Sequence, residues 1–150
     1  MKRKTVLAVL SVCACLLCGC ATVKELPPEE RKGEPQTLEY KVARELLVSF
    51  MNNDPKGMVK NLSPENRSGF DPEKFETTRK QMALSLGTPV SFKYVTELEF
   101  VTFKLYVWKV RFRRESRGKE KKEIFSEALF RVITGRASRD QVLVMGFNFL

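Results

Sequence analysis

The residues best equipped for chemistry are four thiols, Cys13, Cys15, Cys18 and Cys20, crowded into the first twenty positions. A cysteine sulfur can hold zinc, pair as a disulfide or accept a covalent group. Zinc sites use two-residue gaps on loops, with the other half of the ligand set supplied from elsewhere in the chain. Here all four thiols lie in or beside one apolar run, and the chain contains no histidine. The pattern argues against a metal centre. No motif for a cofactor, a nucleotide or covalent catalysis is present.

The residues ahead of Cys20 give it another chemistry. Lys2, Arg3 and Lys4 form a positive start, and Thr5 to Leu17 is almost unbroken apolar sequence. Charge, short apolar stretch and small-residue site, in that order, describe a removable export signal. Thr5 to Cys20 spans 16 residues, short of the roughly 20 that a membrane-spanning helix needs. Leu17-Cys18-Gly19-Cys20 resembles the lipobox of bacterial lipoproteins, with Cys18 standing where Ala, Ser or Thr is commoner. The resemblance covers about the first twenty residues. It implies cleavage before Cys20, a diacylglycerol thioether on its sulfur, and often a third acyl chain on its amine. Each buried methylene contributes about 0.8 kcal/mol, and two or more chains hold stably. The same resemblance implies a cell-envelope address. Because Ala21 is not aspartate, it also implies the outer membrane, facing the periplasm, if the source is Gram-negative. Cleavage removes three of the four thiols, so a disulfide is not expected in the mature domain.

Without residues 1–19 the formal charge falls from +9 by three basic residues, to +6. Residues 20–37 read as the lipidated cysteine and a flexible linker. Pro27, Pro28 and Pro35, a charge run from Glu29 and few apolar residues cannot bury enough surface to offset ordering entropy. From Ala21 to Thr37 such a chain reaches up to roughly 50 Å. Residues 38–150 suit one domain with its own core.

In that domain Val42, Ala43, Leu46, Leu47, Phe50 and Met51 recur at helical spacing, predicting a helix that ends near Asn53. Asp54-Pro55 opens a second helix with Met58, Val59 and Leu62 inward, and Ser63-Pro64 is expected to stop it. Asp71-Pro72 starts a third, closed by Gly87 and Pro89, with Phe75, Met82 and Leu86 on one face. From Val90 the period becomes two. One strand comes first, then a long hairpin of Val101–Arg114 and Glu123–Thr134 with Gly118 near its tip, then Val142–Phe149, expected to be covered on both faces. Helices first and an antiparallel meander afterwards predict an α+β fold, N-terminal helices packed on the sheet.

These helix signals, with Leu62-Ser63-Pro64, Leu86-Gly87 and the meander, are similar to the nuclear-transport-factor-2-like, or cystatin-like, superfamily, and in particular to small secreted bacterial members of unknown function. The resemblance spans about residues 38–150 and implies a curved sheet wrapped into a cone. Members include isomerases, dehydratases, cyclases, ligand-binding modules and interaction domains, so function must be argued from a site.

The pocket-wall candidates are Tyr106, Trp108, Phe112 and Phe130. The first three alternate along one strand with Val110, which suits either an apolar pocket or core against Leu46, Phe50 and Met82. Carboxylates that burial could tune for proton transfer are Glu97, Glu99 and Glu127. Glu97 and Glu99 share a face with Lys93 and read as solvated. Glu127 and Arg131 either pair or point outward. No residue is assigned a catalytic role. Residues 111–122 carry seven basic and two acidic residues. Arg113, Arg114, Arg117, Lys119, Lys121 and Lys122 are therefore candidates for contact with an anionic surface, or simply keep a long hairpin soluble.

Three readings are open. The first is a membrane-anchored, non-catalytic ligand-binding or protein-interaction module. The second is a small lyase or isomerase working through a buried carboxylate. The third is an electrostatic contact domain for anionic envelope polymers or lipids through residues 111–122. Nucleic acid is not an expected partner of an exported protein.

Overall fold

Helix α1, Leu38–Met51, begins where Thr37 caps it by accepting a hydrogen bond from the Tyr40 amide. Its stripe of Tyr40, Ala43, Leu46, Leu47 and Phe50 is buried and lies across three strands of the sheet. The computed structural model describes residues 33–116 and 122–150. The expectations for residues 1–32, including Cys20 and the linker as far as Lys32, and for Arg117, Gly118, Lys119 and Lys121 lie outside the described residues.

After α1 the chain turns through Asn53, at a φ of 56°, into α2, Pro55–Lys60, capped by Asp54. Ser63-Pro64 does not simply stop this helix. Ser63 caps a further short helix, α3, Pro64–Ser68, because a serine followed by proline starts a helix as readily as it ends one. The helix from Asp71 is thus α4, Pro72–Ser85, with Phe75, Met82 and Leu86 packed partly buried against the core. Gly87 ends it at a φ of +102°, its amide donating to the Met82 carbonyl at 3.3 Å.

Strands β1, Thr88–Glu99; β2, Phe103–Glu115; β3, Glu123–Arg136; and β4, Val142–Phe149, form one antiparallel meander in sequence order. The fold is α+β, helices followed by a four-stranded antiparallel sheet. Register shifts at Pro89/Ser91, Tyr94/Thr96 and Ile133/Thr134 bend the strands and redirect their side chains.

Strand β4 is not covered on both faces. As an edge strand it buries Val142 and Val144 beneath the helices and leaves Met145 half exposed on the other side. Its outer edge is paired locally. The Val144 amide donates to the Asn61 carbonyl at 2.7 Å, and the Ser63 amide to the Val144 carbonyl at 2.9 Å. That pairing removes two open backbone groups from a free sheet edge.

Candidate functional site

Strand pairing puts the four pocket-wall candidates in the packed core. Tyr106, Trp108 and Phe130 are fully buried and Phe112 is 1% exposed. Phe130 lies 4.7 Å from Phe149 and 5.5 Å from Phe50, centroid to centroid. Tyr40 packs against Tyr94, Tyr106 and Trp108 at 5.4, 5.6 and 5.7 Å. None of the four lines a described cavity. As pocket wall they are corrected to core, since the helix stripe and the ring-against-ring packing occupy the space a ligand would need.

The carboxylates divide. Glu127 lies on the outer face and pairs with Lys109 at 3.1 Å, both half exposed. Glu97 does not share the solvated face of Lys93. The irregularity between Tyr94 and Thr96 sets Glu97 opposite buried Tyr106, because one extra residue in a strand moves everything beyond it to the other face. Glu97 Oε2 is buried without a hydrogen-bond partner among the described residues. Glu99 pairs with Lys104 at 3.3 Å at the margin.

The polar group with the most developed geometry is not among the sequence candidates. Glu39, in the first turn of α1, is 5% exposed and accepts a hydrogen bond from Arg136 of β3 at 2.6 Å. Its second oxygen and the Thr134 hydroxyl are both buried without a partner among the described residues. Both residues line a cavity of about 170 Å³ with Glu99, Lys104 and Arg136, closed on one side by the β1–β2 turn. Two oppositely signed pairs make this small chamber polar but nearly neutral. The signal in the sequence is a charge inside an apolar helical stripe, since Glu39 precedes Ala43 and Leu46 at steps of four and three.

The hydrogen bond from Arg136 holds the Glu39 carboxyl below its usual range, against burial, which acts to raise it. A carboxylate held down this way stays ionised at neutral pH and is poorly matched to proton transfer there. It accepts hydrogen bonds and balances a cation. A folded-state pKa below the unfolded value of 4.5 stabilises the fold above pH 4.5, and that contribution is lost as pH falls through the folded value. The urea midpoint is expected to drop as pH is lowered from about 5 towards 3, and the drop should shrink in Glu39→Gln. Equal slopes for the two proteins would rule the pair out as a source of acid sensitivity. Burial pushes the hydroxyls of Tyr94 and Tyr106 up to about 12, so these tyrosines are neutral donors and acceptors at physiological pH. The Tyr106 hydroxyl lies 3.3 Å from that of Thr37.

At the other end of the sheet the basic hairpin is partly spent on structure. Arg113 pairs with Glu123 at 3.3 Å, and Arg114 donates to the Ser85 carbonyl at the end of α4 at 3.3 Å. Arg111 stacks over Phe125 at 4.1 Å. The Lys122 amide donates to the Ser116 hydroxyl, closing the hairpin just short of its tip.

The class defined by these features is an α+β domain with a filled aromatic core, a small polar chamber at one end and a basic hairpin at the other. No family model matches the chain, and no curated protein matches it. Among solved structures the chain is similar to the solution structure of a SEC-C motif containing protein from Rhodopseudomonas palustris, at 15% identity and a TM-score of 0.45, over 71% of this chain and 78% of that one. A likeness of that level assigns neither family nor activity.

Proposed function

We propose that this chain is a membrane-anchored envelope lipoprotein, acylated at Cys20, whose α+β domain is a non-catalytic binding or interaction module with a cone-shaped, cystatin-like sheet. The observation that carries the anchor is the order Lys2-Arg3-Lys4, apolar run and Leu17-Cys18-Gly19-Cys20. Residues 1–19 are the signal peptide in this reading, residues 20–37 the tether and residues 38–150 the domain. The non-catalytic part draws on the filled core and on Glu39, an ionised carboxylate tied to Arg136. The lyase or isomerase reading needs a buried carboxylate free to take a proton, whereas Glu39 and Glu99, which line the small chamber, are paired with Arg136 and Lys104, and Glu97 lines none of the described cavities.

The test is the intact mass of the protein recovered from a bacterial membrane fraction. Wild type is expected to begin at Cys20 and to carry acyl chains. Cys20→Ser is expected to lose them and to leave the membrane pellet. Unacylated wild type still beginning at Met1 would overturn the reading.

Electrostatic contact through residues 111–122 is favoured by one geometric fact. Arg113 and Arg114 and the start of α1 lie towards opposite ends of β2, whose 13 residues span about 40 Å. Basic side chains at that end are far from the point where the chain enters the domain, which suits contact with an anionic polymer or protein elsewhere in the envelope.

A further inference from the structure

The β1–β2 turn is built unlike a solvent-facing hairpin tip. Two-residue hairpin loops favour asparagine, aspartate and glycine, and an exposed tip gains nothing from apolar side chains. Here the loop is Val101-Thr102, closed by the Phe100 amide donating to the Phe103 carbonyl at 2.9 Å. Val101 is fully exposed at 103%, with Leu98 at 50% and Phe100 at 46%. The Phe100 and Phe103 rings stack at 4.4 Å and 21°, which stiffens the tip without burying it. Apolar surface continues onto the outer face, where Phe103 borders a groove shared with Ile133, Leu143 and Met145.

The position of this tip decides its occupant. It walls the same cavity as Glu39 in the first turn of α1, so the chain enters the domain beside it. Glu34, just ahead of the helix, lies 3.8 Å from Arg44, which ties the entering chain down. The charges nearest the tip are paired as Lys104–Glu99 and Arg136–Glu39, so this end has no cationic excess with which to seek anionic lipid. We propose that the turn Leu98–Phe103 seats in the apolar margin of the lipid surface to which the chain is tethered, by apolar contact rather than by charge. This rests on the proposed acylation at Cys20. A chain anchored at Cys20 enters the domain beside this turn, so the turn lies at the end of the domain to which the anchor is joined. Arg113 and Arg114, at the other end of β2, then lie away from that surface.

The test uses the full chain, made in a bacterial host and reconstituted into phosphatidylcholine vesicles. Once acylated at Cys20 and cleaved before it, the chain has no free thiol, so Val101→Cys or Gln81→Cys each carries one environment-sensitive fluorophore. Both positions are exposed, so neither substitution touches the core. The label at 101 is expected to shift to the blue and to be quenched by nitroxide lipids, unchanged in high salt; the label at 81 is expected to do neither. Equal quenching of both labels by aqueous iodide would overturn the proposal. So would shielding of position 101 from iodide and from nitroxide lipid together, the signature of a protein partner. The intact mass is read on the same sample. Acylated protein with a water-exposed tip sinks the tip alone, whereas an unacylated chain removes the anchor and the tip together.

Discussion

Phe130→Ala is expected to destabilise the domain by about 3–5 kcal/mol, the range for removing a large ring from a packed core. Its ring meets those of Phe149, Phe50 and Phe147 at 4.7, 5.5 and 6.1 Å, joining α1 to β3 and β4. Domains of this size have only about 5–15 kcal/mol in hand, so the variant should show an early urea midpoint and a weakened near-ultraviolet signal. The same measurement judges the pocket question. A ring lining a ligand chamber can be truncated at little cost, because no partner atoms lie on the open side. A loss below about 1.5 kcal/mol, the level of volume-conserving swaps, would reopen the case for a cavity behind the aromatic face.

Gly87→Ala is the second large effect, and it acts through the backbone. Gly87 combines a φ of +102° with a position where an added Cβ would lie 2.3 Å from the carbonyl oxygen of Arg113. The clash is with main chain of β2, which cannot swing aside as a side-chain tip would. Unfavourable backbone conformation alone is worth about 1–3 kcal/mol, and displacing β2 adds to it. A total of about 3 kcal/mol is expected from urea unfolding, with Gly146→Ala as control, since a Cβ there meets nothing within 4 Å. Comparable losses in the two variants would mean that the junction between α4 and β1 has room to adjust.

Much of the architecture is local and legible in the chain. Asp54-Pro55 and Asp71-Pro72 cap and start α2 and α4 as expected, because an N-cap works within three residues of itself. The change of period from three-to-four to two marks the passage from helices to sheet, and β4 runs from Val142 to Phe149, the bounds its apolar pattern predicts. Ser63-Pro64 misleads because stop and start signals share the same residues.

The candidate site is far less legible. Strict alternation assigns Glu97 to the solvated face, and the irregularity after Tyr94 breaks that alternation. Nothing in the strand's own sequence announces such a shift. It becomes visible only once β2 supplies the partner for each residue. Glu39 and Arg136 are 97 positions apart, so neither marks the other in the chain. Their pairing depends on α1 lying over the end of β3.

Apart from the short helix α3, the sequence by itself determined which segments are helix and strand and the apolar stripes that must meet, because capping, turn chemistry and periodicity act over a few residues. Only the tertiary structure decided which faces those stripes cover. It filled the aromatic face with Phe50 and Tyr40, turned Glu97 inward, joined Glu39 to Arg136, and set the bare turn at Val101 beside the start of α1 and about 40 Å from the far end of β2 at Glu115. The reason is that register and burial belong to pairs of elements, and a pair is not written in either member alone.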